Sequence, residues 1–203
     1  MLEWTRFSVG LFLDYYGMPA IKTHLPPMSF AVDMNSKKAA LPGTGNEPVA
    51  FIYTYDVAKF VSAFLDAPKW EEITYIYGEK MTWNEFIKVA SEVTGEENPC
   101  PYHCLYFSIF AAYTEIYSGS TFEVSYDPIE KLAKGEVTEL PSHMEELAQS
   151  PFPEPLARQL LAFLGCWVVG GQFDIPVDKA LNKSFPSIKP MGVRDMLLAR
   201  RSS

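Results

Sequence analysis

The stretch WTRFSVGLFLDYY, Trp4 to Tyr16, constrains the fold of this chain more than any other. It is apolar and aromatic, relieved only by Thr5, Arg6, Ser8, Gly10 and Asp14. A run of this kind reads as a strand buried on both faces that passes into a loop. It demands strands beside it and covering elements above and below.

The rest of the chain supplies strands alternating with helices, which predicts an α/β class. Phe30 to Met34 reads as a short strand and LPGTGNEP (41–48) as a turn. Val49 to Tyr53 is β-branched and aromatic, a strand. The helix after it takes Asp56 as its N-cap and carries an apolar stripe of Val57, Phe60, Val61 and Phe64. Ile73 to Tyr77 repeats the strand. Thr82 and Glu85 form a capping box ahead of a helix lined by Phe86, Val89, Ala90 and Val93. Gly95 suits its left-handed C-terminal residue. Phe122 to Tyr126 alternates as a strand does, and Ile129 to Ala133 starts a short helix that Gly135 stops. PLARQLLAFLGCWVVGG (155–171) is a helix closed by two glycines, and a last helix begins near Gly192.

Residues 96–119 are different in kind. CPYHCLYFSIFAAYTEIYS (100–118) is apolar all round, with one acidic residue. It lacks the basic flanks of a membrane span and reads as a greasy insertion. A functional lid and a translated, unspliced intron both account for it.

Composition narrows the function. A formal net charge of −8 argues against nucleic-acid binding, which needs clustered Lys and Arg. The only dense basic spot is Arg200-Arg201. Three cysteines and no secretory signal predict a cytoplasmic, reducing environment, and no partner membrane is expected. Cys100-x3-Cys104 with His103 between them lacks a fourth ligand, so no metal is expected. Gly43-x-Gly45 lacks a third glycine and is followed by Pro48, so it reads as a tight turn rather than a phosphate loop.

Candidate site residues sit at loops and strand ends. His24 and His143 occupy loop contexts, where a histidine can do acid–base work; the competing reading is a structural ring. Tyr15 and Tyr16 follow the first strand, at the carboxyl edge where open α/β sheets bind ligands. Tyr126 and Asp127 have the same standing. Lys37, Lys38 and Lys80 read as a solvated face. No residue is assigned as catalytic.

The segments VGLFLDYYGMP, PGTGNEPVAFIYTYDVAKFVSAFLD, YGEKMTWNEFIKVASEVTG, FEVSYDPIEKLAKGEVTELPSH and GGQFDIPVDKALNKSFPSIKP, in this order, resemble the carboxy-terminal half of NmrA-like proteins of fungi. That family belongs to the atypical, extended short-chain dehydrogenases, with the isoflavone reductase-like enzymes. The resemblance implies the carboxy-terminal part of an NAD(P)-binding Rossmann-type fold with its substrate-binding subdomain. On this reading residues 1–203 form a single incomplete domain. Residues 1–17 are a late Rossmann strand and loop, and 18–95 are mixed strand and helix. The insertion at 96–119 and a substrate subdomain with tail at 120–203 complete it.

The early βαβ units, with the glycine-rich turn that seats the pyrophosphate, have no counterpart. The resemblance implies NADP or NAD as cofactor, with the backbone of Val9, Gly10, Leu11 and Phe12 passing near the nicotinamide. It implies a substrate pocket bordered by Tyr15, Tyr16, Tyr126 and His143. Two functions stay open. One is reduction of a small apolar or secondary-metabolite substrate; the other is a non-catalytic NAD(P)-sensing regulator that binds a protein partner. A non-functional truncated product is the third possibility. The bare first strand predicts self-association.

Overall fold

The computed structural model describes residues 3–95 and 122–202. The 96–119 insertion, with Cys100, His103 and Cys104, lies outside the described residues. Among those described, no helix is long and apolar enough to cross a membrane, and no group of three or more His, Cys, Asp or Glu is placed to hold a metal.

The opening run is not one strand. It forms β1 (Arg6–Ser8) and β2 (Leu11–Phe12), broken at Val9-Gly10, and Tyr15 and Tyr16 fall in a single helical turn, α1 (Asp14–Gly17). Gly10 has φ +75°, and a Cβ there would overlap the Ala50 carbonyl oxygen. Only glycine takes both the left-handed backbone and the close approach. The break lets one segment serve two sheets. β1 pairs in parallel with β6 (Ile73–Tyr75), and β2 pairs in parallel with β5 (Pro48–Ile52). β5 is also antiparallel to β7 (Glu79–Thr82). A third sheet has the order β3 (Val32–Asp33), β4 (Lys38–Pro42), β8 (Glu123–Asp127). Among the described residues, β1 and β2 have no second neighbour. The whole is a mixed α/β fold.

The helices are α2 (Thr54–Phe64), α3 (Trp83–Thr94), α4 (Ile129–Leu132), α5 (His143–Ala148), α6 (Glu154–Val169) and α7 (Val193–Arg201). α3 packs on α7, and α6 packs on α4, α5 and β4. The main core runs from Leu11, Leu13 and Tyr16 through Phe51, Trp83 and Phe86 to Leu161, Val168 and Met196. Its centre is aromatic: Tyr16 meets Phe86, Trp83 and Phe51 edge-on at 4.9–6.4 Å between ring centroids. A smaller cluster of Ile52, Phe60 and Ile76 binds α2 to Phe7, Val9 and Phe12.

Several local expectations hold. The capping box at α3 is complete: Glu85 N–H donates to Thr82 Oγ1, and Thr82 N–H to Glu85 Oε2. Gly135 stops α4 with φ +79°. Others need correction. Asp56 is not the N-cap of α2, because the helix starts two residues earlier. Its buried carboxylate instead pairs with Lys59 and accepts the Met191 N–H. Gly95 is extended, at φ −61° and ψ 134°, not left-handed. Lys38 is exposed, as a solvated face requires, and pairs with Glu123, but Lys80 is not part of such a face: it lies in β7, where its ammonium reaches Asp174 and the Ile175 carbonyl.

Candidate functional site

The single turn α1 sends three consecutive side chains in different directions. Asp14 is fully buried and gathers three donors: Thr54 N–H at 3.0 Å, Thr54 Oγ1 at 2.6 Å and Thr23 Oγ1 at 2.8 Å. It thereby closes the start of α2 at the carboxyl ends of β2 and β5. Tyr16 enters the aromatic core and donates its hydroxyl to the Phe30 carbonyl at 2.7 Å. Burial raises its pKa well above the ordinary tyrosine value. Tyr15 turns outward into a cavity of about 170 Å³. Burial, and then the Asp14 carboxylate beside it, raise the Tyr15 pKa as well. Its hydroxyl therefore stays protonated, as a donor.

The cavity lies between the loop Pro26–Met28, α5 and the first turns of α6. Met28, Leu147, Leu160 and Leu161 make its walls apolar. Its volume is close to the roughly 150 Å³ of a dry cavity that takes a single aromatic ring. His143 borders it and is buried. Its Nδ1 accepts the Leu140 N–H at 3.2 Å, so Nε2 carries the proton and donates to the Ser29 carbonyl at 2.8 Å. Both ring nitrogens are thus engaged within the protein. Glu146, one turn on, accepts both Ser29 N–H and Ser29 Oγ at 2.7 Å. Ser29 is clamped from two sides, and the clamp fixes one wall of the cavity to α5.

The structure brings Tyr15 and His143 together on this cavity. Tyr16 lies behind it, in the core. Tyr126 stands elsewhere: it is half exposed on β8 and donates to Asn84 Oδ1 at 3.1 Å. Asp127 is buried under α4, where Lys131, Thr138 Oγ1 and Thr138 N–H surround it. Burial pushes its pKa up, but those bonds outweigh it and hold the carboxyl below its ordinary range. His24 stacks on Tyr55 at the surface, 6.3 Å between centroids. Leu11 packs in the main core, while Val9 and Phe12 pack on the α2 cluster. Sequence reasoning missed Ser29 and Glu146. They are 117 residues apart, and nothing local marks either as a partner.

The starts of the longer helices share one feature. Asp14 fills α2, the Thr82–Glu85 box closes α3, and Glu79 accepts the Val193 N–H that begins α7. α6 opens with Glu154 and Pro155, the first paired to Arg158 and the second without an N–H. In the β4–β5 turn the Thr44 N–H points at the Glu47 carboxylate.

Comparison with known proteins fits this architecture. The chain is similar to oxidoreductases. Over 98 residues, 48% of this chain and 33% of the relative, it is 40% identical to oxidoreductase BOA1 of Botryotinia fuckeliana. Over 198 residues, 96% of this chain and 50% of the relative, it is 24% identical to oxidoreductase swnN of Metarhizium robertsii. The chain thus spans a third to a half of the length of these two relatives. No family model matches it. Among solved structures, an isoflavone reductase superposes with a TM-score of 0.52 at 17% identity, over 95% of this chain and 51% of that one. AtPrR2, solved with NADP+ and (+)pinoresinol, superposes with a TM-score of 0.50 at 16% identity, over 95% and 50%. These structures show the fold, and one of them holds NADP+.

A dinucleotide such as the NADP+ of AtPrR2 has a pyrophosphate, which free N–H groups at a helix start can seat. The described residues do not fit it. Each longer helix start carries a carboxylate of the chain itself: Asp14 at α2, Glu85 at α3, Glu154 at α6 and Glu79 at α7. A second anion there would meet like charge.

Proposed function

We propose that this chain is the substrate side of an NADP- or NAD-linked oxidoreductase of the NmrA-like kind, acting on a small apolar molecule in the cytoplasm. The observation that carries the reading is the apolar cavity beside the carboxyl ends of the parallel pair β2 and β5. Ligands of open α/β sheets bind at such ends, and Tyr15 connects that edge to the cavity. The similarity to swnN along nearly the whole chain supports the same class.

The chain's own residues have definite tasks in this reading. Leu147, Leu160 and Met28 exclude water from an apolar ring. Tyr15 offers one neutral O–H donor to a carbonyl or hydroxyl oxygen of the ligand. His143 and Glu146 hold the Ser29 wall and do not exchange protons with the ligand. The nicotinamide, when bound, supplies or accepts hydride. The described residues give its pyrophosphate no seat, so the grip on the dinucleotide is assigned to residues beyond those described.

The test is binding by the full chain of a panel of neutral single-ring enones and ketones, read by ligand-observed NMR. Binding is expected, and Leu147→Trp, which fills the cavity, weakens it at least tenfold while leaving the thermal melt in place. Absence of binding, or binding indifferent to Leu147→Trp, refutes the assignment.

A further inference from the structure

α6 is apolar on two faces. Ala157, Leu161, Ala162, Gly165 and Val168 face the protein and are buried. Leu156, Leu160, Phe163 and Trp167 face out, with exposures of 39–52%. A surface helix ordinarily carries one apolar stripe, toward the core, and α6 carries a second that faces out.

The spacing of the outer residues is informative. Leu156, Leu160, Phe163 and Trp167 follow one another at intervals of four, three and four. That is the narrow seam of a helix that packs against another helix. Phe163 and Trp167 hold each other with ring centroids 4.7 Å apart, and Trp167 rests on Phe173. The seam therefore ends in rigid aromatic anchors, the kind that dominate interfaces.

We propose that this seam is the contact of a symmetric dimer, in which α6 packs antiparallel against α6 of a second copy of the chain. Three observations select a second copy as the occupant. First, the seam is self-complementary. A two-fold axis between Leu160 and Phe163 sets Leu160 against the partner's Phe163, and Leu156 against the partner's Trp167, so that large meets small in every layer.

Second, the electrostatics permit it. The chain carries a net charge of −8, and a random face would repel its own copy. The seam is flanked by Gln159, Leu164 and Cys166, none of them charged. The nearest charges, Glu154 and Arg158, are paired to each other, and Arg158 is also paired to Glu139.

Third, the area suits a weak dimer. With about 200 Å² for each large side chain when free, the seam and the exposed Phe152 beside it leave roughly 450 Å² open per copy. Two copies would bury about 900 Å², below the range of stable interfaces and within that of weak, reversible ones.

Sedimentation velocity of the full chain tests this over a concentration series. A reversible monomer–dimer equilibrium in the micromolar range is expected. Phe163→Glu, whose side chain projects into solvent in the monomer, abolishes the dimer and leaves the circular-dichroism melt unchanged. The geometry also sets Gln159 near the partner's Cys166. Gln159→Cys, made with Cys100→Ser and Cys104→Ser, therefore gives a disulfide-linked dimer on oxidation with diamide.

A monomer at every concentration overturns the proposal. So does a dimer that survives Phe163→Glu, or a dimer in which Gln159→Cys forms no cross-link. Slow labelling of a Phe163→Cys thiol in a monomer would assign the cover to another segment of the same chain instead.

Discussion

Replacing Asp14 by alanine removes one carboxylate that holds three pieces of chain together: the end of β2, the start of α2 and the loop carrying Thr23. The cost follows from what is left behind. Thr54 N–H sits at a part-buried helix start and loses the acceptor Asp14 gives it, worth about 1–3 kcal/mol. Two hydroxyl bonds to a charged group are lost as well, at about 1.5 kcal/mol or more each before rehydration. The expected total is about 4 kcal/mol. For a chain of this size that lowers Tm by roughly 8–16 °C. Asp14→Asn keeps one acceptor but turns an amide N–H toward donors, and is expected to cost about 2 kcal/mol. The assay is urea unfolding of both variants, with Thr54→Val and the double variant to close a cycle. If Asp14→Ala costs less than about 1 kcal/mol, or shows no coupling to Thr54, then Asp14 is not the tie described.

Gly10→Ala meets a left-handed backbone and the Ala50 carbonyl together; a loss of about 3 kcal/mol or more is expected in urea melts, and wild-type stability would refute the account of the strand break. Tyr16→Phe removes one of the two donors to the buried Phe30 carbonyl, which keeps the Val32 N–H, and should cost about 1 kcal/mol, read by the same melts. Acid stability carries a defined sign. Asp33 is pushed up by burial but held lower overall by hydrogen bonds from Ser36 and Ser142, as Asp127 is by Lys131 and Thr138. The unfolded chain therefore binds protons first. The stability these groups give is complete above the ordinary carboxylate range and lost as pH falls through their lowered folded values. Asp127→Asn should flatten the acid limb of a stability–pH curve, and an unchanged limb would contradict the assignment.

Much of the fold was legible because its signals are local. The Thr82–Glu85 box, the glycine stops after α4 and α6, and the β-branched run of β5 each depend on residues a few positions apart. β4 and β7 were not legible. KAALP and EKMT carry neither alternation nor β-branched bulk, and they become strands only through pairing with β8 and β5. The start of α2 was misread for the same reason. Asp56 has the right chemistry nearby, but the acceptor that closes the helix comes from Asp14, 40 residues away. At the candidate site, the position of Tyr15 just after the first strand was legible, and the cavity it lines was not. The division of labour between Tyr15 and Tyr16 was not, since it depends on which way a single turn points each ring. The role of His143 as a strut rests on Ser29, which no spacing in the sequence reveals.

The break at Gly10 has a consequence for synthesis of the chain. Its opening segment finds partners at residues 48–52 and 73–75, and no nearer strand pairs with it among the described residues. On the ribosome this apolar segment emerges well before either of those partners. Until Tyr75 has emerged, β1 lacks the partner it has among the described residues, and such exposure is when nascent chains meet chaperones or one another. Slow decoding between residues 12 and 75 would lengthen that wait, and fast decoding would shorten it. Yield of soluble protein should therefore depend on codon choice across those residues more than on codon choice beyond β6.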